Sequence, residues 1–102
     1  MSRYTVFVTP AAIKEIKRLP GYVRQRVRRA IGSLADEPRP TKSKVLEVSG
    51  IPAEVGRLRL DRWRILYAIT EADAAVDVLG VRKRPPYELV VLGGLLGDDP
   101  SE

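Results

Sequence analysis

The chain contains no cysteine and no histidine among its 102 residues. Disulfide bonds, thiol nucleophiles, zinc sites built from Cys and His, and imidazole acid–base catalysis are therefore excluded. Aromatic residues are also scarce, with a single tryptophan and a single phenylalanine. We expect neither a bound metal nor a cofactor.

Long apolar runs are missing too. None approaches the roughly twenty residues that a membrane-spanning helix needs, and a strand-like segment follows Met1 and Ser2 directly, without the apolar core of a signal peptide. We therefore expect a cytoplasmic protein with no membrane partner. The length fits one domain, predicted over residues 1–96, followed by an acidic, flexible tail at 97–102.

Positive charge is in excess, with 18 Lys and Arg against 13 Asp and Glu and a formal net charge of +5. Such a balance favours polyanionic partners, because each cation that meets a phosphate releases condensed counterions. Nucleic acid is the obvious candidate, although a small basic domain can equally bind an acidic protein.

The first third of the chain predicts one strand and two helices. Residues 3–9 are rich in β-branched and aromatic residues, which favours a strand. Thr9 is a good N-cap and Pro10 suits the first helical position, so a helix is predicted over 10–19. After Pro20 and Gly21, apolar residues at three- and four-residue steps predict a second helix over 22–37.

The remainder alternates as strands. Residues 45–48 form a weak candidate, 55–60 and 63–70 a hairpin around Asp61 and Arg62, and 75–81 a third strand of the meander. The order of elements predicts an α+β fold, in which the N-terminal strand joins an antiparallel meander and the helical hairpin covers one face of the sheet.

Basic residues on the predicted meander are the candidates for chemistry, together with a tyrosine beyond it: Arg57, Arg59, Arg62, Arg64, Arg82, Lys83, Arg84 and Tyr87. Arginine stays charged and can hold phosphate oxygens through two hydrogen bonds, so a converging group could stabilise a pentavalent phosphoryl transition state. A tyrosine could stack on a base. The plainer interpretation is that these arginines form the solvated side of a half-exposed sheet.

The segments "GRLRLDRWRILYAI" and "VLGVRKRPPY", preceded by a strand and a helix pair, resemble the RelE/ParE superfamily of type II toxins over nearly the whole chain. The RelE branch cuts mRNA in the ribosomal A site, where the 2′-hydroxyl attacks the adjacent phosphate. The resemblance implies a RelE-like fold and a metal-independent mRNA endonuclease. Its partners would be the ribosome, mRNA and a RelB-like antitoxin, with a toxin–antitoxin heterotetramer as one arrangement.

The resemblance also implies roles for individual residues. Arg57 and Arg59 match the paired basic residues that hold the phosphate and help to activate the 2′-hydroxyl. Arg64 matches a phosphate clamp, Arg82 a residue that stabilises charge on the phosphate or leaving oxygen, and Tyr87 a residue that stacks on or orients the nucleotide.

Other assignments stay open at this point. Lys83 or Arg84 could hold the role given to Arg82, and both are expected, with Arg62, to bind RNA. A ParE-like inhibitor of DNA gyrase without nuclease activity and a catalytically degenerate toxin or binding module are the alternative functions, because a shared fold does not fix function.

Overall fold

The computed structural model describes residues 3–46, 50 and 53–83. Within these ranges, two helices and five strands follow one another as β1 (Thr5–Val8), α1 (Pro10–Lys17), α2 (Gly21–Ser33), β2 (Ser43–Leu46), β3 (Glu54–Leu60), β4 (Trp63–Thr70) and β5 (Ala75–Lys83). A single 3₁₀ turn, Glu71–Asp73, joins β4 to β5. The predicted domain of 1–96 extends past these residues, and the predicted tail at 97–102 lies outside them.

Thr9 connects β1 to α1 and is the N-cap of the helix. Its hydroxyl accepts a hydrogen bond from the Ala12 N–H at 3.2 Å and donates one to the Val78 carbonyl at 2.9 Å. The same side chain therefore caps the helix and ties its first turn to β5. Pro10 stands at the first helical position, where its missing N–H costs nothing.

The five strands form one sheet in the order β1-β5-β4-β3-β2. Strands β2 to β5 pair antiparallel, as the meander predicts, and β1 joins the edge of β5 in parallel. The β3–β4 turn consists of Asp61 and Arg62, with Asp61 in the left-handed region at φ 58°. The α+β prediction, with the N-terminal strand added to the meander, is confirmed.

Both helices pack on one face of the sheet, where they enclose the larger core. Val27 and Leu34 of the helical layer and Ile65, Val76 and Val78 of the sheet are among its fully buried members. A smaller apolar cluster lies on the opposite face, made of Val55, Leu66, Ala68 and Leu79. On the helix-free face, this cluster covers one end of the strands. The other end of the strands is available for polar and charged side chains.

Tyr67 fills the core above a glycine on the neighbouring strand. It pairs with Gly56 across β3 and β4, is 1% exposed, and donates a hydrogen bond from its hydroxyl to the Pro38 carbonyl at 2.8 Å. Burial raises the pKa of this hydroxyl. Tyr67 is thus a structural residue that joins the sheet to the loop after α2.

Element boundaries differ from the predicted ones at several ends. α2 ends at Ser33 rather than at residue 37, because the N–H groups of Leu34, Ala35 and Asp36 bond three residues back in a tightened last turn. α1 likewise ends at Lys17 instead of residue 19.

The strands also shift. β2 spans Ser43–Leu46 rather than 45–48, and residues 47–48 lie outside the described ranges. β5 continues two residues beyond the predicted end, to Lys83, because the hairpin partner Trp63 pairs with it there. Neither described helix has the length and apolar character needed to cross a bilayer.

Candidate nucleic-acid interface

Three arginines lie side by side across three strands. Arg59 of β3 pairs with Arg64 of β4, which in turn pairs with Arg82 of β5. Directly opposite residues in a sheet project to the same face. We call Arg59, Arg64 and Arg82 the arginine row.

The arginine row lies on the face that carries no helix. The residues that precede or follow it along the strands, Leu58, Ile65 and Val81, point into the helix-side core, and side chains alternate across a strand. The Cα–Cβ bonds of the three arginines therefore point away from the helix-side core.

Arg57 lies two residues before Arg59 on β3, on the same face as the row. It pairs with Leu66 of β4 on one side and with Lys44 of β2 on the other, so all three share the helix-free face. A pocket of about 160 Å³ opens beside it, lined by Thr41, Lys42, Ser43, Lys44, Arg57 and Arg59. Of the basic residues and the tyrosine that the sequence predicts to converge on one sheet face, four do so: Arg57, Arg59, Arg64 and Arg82. Lys83 does not, and residues 84 and 87 lie outside the described ranges.

Arg64 is held by the hairpin turn beneath it. Its Nη1 donates to the carbonyl oxygens of Asp61 at 2.9 Å and Trp63 at 3.1 Å, and its Nε is buried. An exposed ion pair between Asp61 and Arg26 of α2 fixes the turn in its place and lowers the pKa of the aspartate. The guanidinium of Arg64 is therefore oriented by backbone rather than left to sample rotamers.

Arg82 is oriented from another direction. Its Nη1 forms an ion pair with the Glu15 carboxylate of α1, and both side chains are mostly buried. The other Glu15 oxygen accepts the Val81 N–H at 2.8 Å. The cation at this end of the row is therefore held by a helix that covers the edge of β5.

Lys83 lies on the opposite face from Arg82. Its Nζ sits 5.5 Å from the centroid of the Trp63 ring, on the helix side of the sheet, in a cation–π arrangement. Of the residues considered for the Arg82 role, Lys83 is therefore turned away from the row. Arg62 is exposed at the hairpin turn, whereas Arg84 and Tyr87 lie outside the described residues.

Sequence reasoning missed Lys42 and Lys44. They belong to this surface because β2 begins at Ser43 and pairs with β3 in register, and because the Arg59 N–H bonds the Lys42 carbonyl at 3.3 Å. The sequence pattern that could have indicated them is the spacing of Lys42 and Lys44 by two residues, which places both on one face of a strand, directly before the apolar residues Val45 and Leu46. A loop containing proline is the simpler interpretation of the same residues, and it hides this alternation.

Fixed cations of this kind can bind and polarise a phosphate group but are poor proton acceptors. Arginine hardly deprotonates in proteins, whereas it donates up to five hydrogen bonds in a rigid fork. Within the described residues, no group of three or more His, Cys, Asp or Glu side chains could hold a metal ion. The surface is suited to a phosphodiester, whose negative charge grows during substitution at phosphorus.

Comparison with known proteins finds a matching family and several solved structures with this fold. The family model described as the ParE toxin of type II toxin–antitoxin systems, parDE, matches residues 6–85. No protein with a curated functional description matches the chain.

Several solved structures share the fold. A chain of the archaeal RelE–RelB complex from Pyrococcus horikoshii superposes with a TM-score of 0.72 at 24% identity, over 82% of this chain and 98% of that one. The toxin–antitoxin complex RelBE2 from Mycobacterium tuberculosis gives 0.67 at 29% identity, over 82% and 94%. The isolated RelE toxin of E. coli gives 0.64 at 23%, over 83% and 88%.

Proposed function

We propose that this chain, which belongs to the ParE toxin family of type II toxin–antitoxin systems within the RelE/ParE superfamily, is a ribosome-dependent endoribonuclease that cleaves mRNA in the A site. The observation that carries the proposal is the arginine row, three arginines in register across three neighbouring strands. An inhibitor that acts only through a protein interface has no need of such a phosphate-binding surface.

The proposed reaction is attack of a ribose 2′-hydroxyl on the adjacent phosphorus. The 2′-hydroxyl loses its proton to water and its oxygen bonds to phosphorus, while the bond from phosphorus to the 5′-oxygen breaks. The departing 5′-oxygen takes a proton from water, so a 2′,3′-cyclic phosphate and a 5′-hydroxyl result. Arg57 and Arg59 would hold the phosphate and favour the 2′-alkoxide by charge, since arginine does not act as a base at neutral pH. Arg64 would clamp the non-bridging oxygens, and Arg82 would stabilise charge on the phosphate or the leaving oxygen.

Tyr87, Arg84, Lys83 and Arg62 complete the proposal as residues that contact RNA around the row. A tyrosine can stack on a nucleobase that the ribosome presents single-stranded. Arg62 at the hairpin turn would contact the RNA backbone beside the scissile phosphate. Lys83, on the opposite face of β5, would contact RNA only away from the row. This activity would take place in the cytoplasm, where ribosomes translate.

An acidic antitoxin is the second proposed partner. Five of the solved structures with this fold are named as complexes of a RelE-type toxin with its RelB-type antitoxin or a peptide of it. In this chain a groove of about 360 Å³ runs between the helices and β1. Its floor is apolar and its rim cationic, with Val8, Ile13, Ile16 and Ile31 below and Lys17, Arg24 and Arg28 above. We assign it to an amphipathic antitoxin segment with an acidic flank, because charge and apolar surface both match such a segment.

Inhibition of DNA gyrase without RNA cleavage is the alternative, and the observation in its favour is the ParE description of the matching family model. In that case the row would have no catalytic role, and substitution of its arginines would leave toxicity intact.

The test is primer extension on a defined mRNA in a purified translation reaction. Codon-spaced cuts that require ribosomes should appear with the unmodified chain. Arg64→Ala and Arg82→Ala should each lose at least about 3 kcal/mol of transition-state stabilisation, more than a hundredfold in rate. Arg3→Ala is the matched control, since Arg3 is exposed and outside the basic surface. Intact mRNA would refute the nuclease proposal and make gyrase supercoiling the next assay.

A further inference from the structure

A pocket of about 410 Å³ opens between the start of α2 and the β3–β4 turn, on the helix side of the sheet. Its volume lies in the usual range of ligand sites, roughly 300–1,000 Å³. Besides Pro20 and Val23, its lining consists of two aromatic rings, three cations and one carboxylate: Tyr22, Trp63, Arg26, Arg62, Lys83 and Asp61. We call this site the aromatic pocket.

The fold holds the two walls of the aromatic pocket together. Tyr22 and Arg26 are four residues apart on α2 and therefore lie on the same side of that helix. Arg26 forms the ion pair with Asp61 that joins the helix to the turn. Trp63 begins β4 and is half-buried against the helix-side core. The places of both rings are therefore set by secondary structure and packing.

Tyr22 is the more accessible of the two rings. It is 74% exposed, more than any other large hydrophobic side chain in the part of the chain that the structure describes. A single exposed aromatic residue needs no explanation by itself, but this one shares a pocket with a second ring and three cations. The Lys83 Nζ lies 5.5 Å from the centroid of the Trp63 ring and covers one face of it. Tyr22 is therefore the ring that can offer a face to a planar ligand.

These groups match one unpaired nucleotide of RNA. Any nucleobase has a face that stacks on an aromatic ring, and arginine and lysine bind the adjoining phosphate. The three cations outnumber the one carboxylate, which already pairs with Arg26. We infer that the aromatic pocket binds a nucleotide of single-stranded RNA outside the cleavage site, with its base on Tyr22 and its phosphate at Arg62 and Lys83. The choice of RNA as the ligand rests on the proposed nuclease function.

The aromatic pocket and the arginine row lie on opposite sides of the same hairpin. Trp63 and Arg64 are consecutive on β4, so their side chains leave the strand toward opposite faces. A nucleotide in the pocket therefore adds affinity without touching the phosphate that the row would hold. Two RNAs offer such a nucleotide, the mRNA beyond the A-site codon and the ribosomal RNA around the A site.

Trp63 is the single tryptophan of the chain, so its fluorescence reports directly on the pocket. Single-stranded oligoadenylate should quench this emission in the free toxin. Tyr22→Ala should raise the Kd at least about fivefold, the loss of one stacked base, whereas Tyr22→Phe keeps the ring and should keep the affinity. Phe7→Ala is the matched control, because Phe7 is also an exposed ring but lies on β1 at the edge of the sheet, and its Kd should not change.

Two other ligands test the chemistry of the pocket. Tripolyphosphate carries charge without a base and should quench little. Equal quenching by tripolyphosphate, or an unchanged oligoadenylate Kd in Tyr22→Ala, would show that no base stacks on Tyr22 and would overturn the inference. An acidic antitoxin peptide that changes the emission where oligoadenylate does not would make the pocket a protein contact, which also overturns it.

Programmed ribosomes identify the source of the nucleotide. Tyr22→Ala should weaken binding of the toxin at least about fivefold and leave the single-turnover cleavage rate at saturation unchanged. A lower rate at saturation would place Tyr22 in the cleavage chemistry and contradict the inference. If the weaker binding disappears with an mRNA that ends at the A-site codon, the nucleotide belongs to the mRNA; if it persists, the nucleotide belongs to ribosomal RNA.

The fluorescence measurement keeps the inference separate from the proposed function. If the unmodified chain cleaves nothing but oligoadenylate still quenches Trp63 in a manner that depends on Tyr22, the nuclease proposal fails and the pocket stands. Cleavage of mRNA without this quenching would give the reverse result.

Discussion

Replacement of Gly56 by alanine should destabilise the fold strongly for so small a change. A Cβ at this position would lie 2.8 Å from Cζ of Tyr67 and 3.0 Å from its Cε2 and hydroxyl oxygen, whereas ordinary contact begins at 3.4 Å. The ring cannot retreat easily, because it is 1% exposed and its hydroxyl is bonded to the Pro38 carbonyl. Either the ring or the β3 backbone must move.

We expect a loss of about 1–3 kcal/mol in the free energy of unfolding, the usual cost of overpacking a filled core. For a domain of this size each kcal/mol corresponds to roughly 4–8 °C in Tm. Urea unfolding followed by circular dichroism gives the free energy.

Gly32→Ala is the matched control, the same chemical change in a different setting. Gly32 lies within α2, and nothing lies within 4 Å of the position that a methyl group would take there. Alanine should stabilise this site by up to about 1 kcal/mol through helix propensity. If Gly56→Ala and Gly32→Ala shifted stability by the same amount and sign, steric contact with Tyr67 would not be the reason for glycine on β3.

Three other expectations follow from single features. Ala74 adopts φ 47°, a left-handed conformation that costs a residue with a Cβ about 1–2 kcal/mol, so Ala74→Gly should raise Tm, and an unchanged or lower Tm would contradict this. The hydrogen bond from Arg39, followed by that from Tyr4, lowers the pKa of Glu71 in the folded chain. The Glu71 carboxylate therefore stabilises the fold fully above its ordinary pKa of 4.5, and this stabilisation is lost as the pH falls through the folded pKa. In urea unfolding between about pH 3 and 6, the midpoint should fall less steeply with decreasing pH in Glu71→Gln than in the unmodified chain. Ile13, 41% exposed in the apolar groove, should tolerate Ile13→Asp without unfolding but lose antitoxin binding in calorimetry, and retained affinity would remove the groove from that interface.

The parts of the fold with strong local signals could be predicted from sequence. The start of α1 follows from Thr9 and Pro10, and both do there what their chemistry predicts. The β3–β4 hairpin follows from alternation on either side of a two-residue turn, and the observed register closes on Leu60 and Trp63. Because that register is short-range, the turn predicts that Arg62 or Arg64 lies close to Arg59, and the structure pairs Arg64 with it.

Long-range pairing could not be predicted in the same way. Whether Lys44 faces Arg57 depends on how β2 docks on β3, and within β2 two polar residues precede two apolar ones, so polar and apolar residues do not alternate there. In the sequence, Glu15 is one more polar residue on the exposed side of α1. Its contacts with Val81 and Arg82 require α1 to lie against β5, 66 residues away along the chain, and no local sequence pattern indicates this packing.

The arginine row has a consequence for the folded chain itself. Like charges directly opposite one another across a sheet repel and weaken the pairing of their strands. In the free toxin, repulsion between Arg64 and its two neighbours in the row therefore reduces the stability of the sheet. A bound anion on that face reduces this repulsion, so the free energy of unfolding should rise with the concentration of the anion. Multivalent anions should act as chemical chaperones for this fold, and its most stable form should be the one with its polyanion bound.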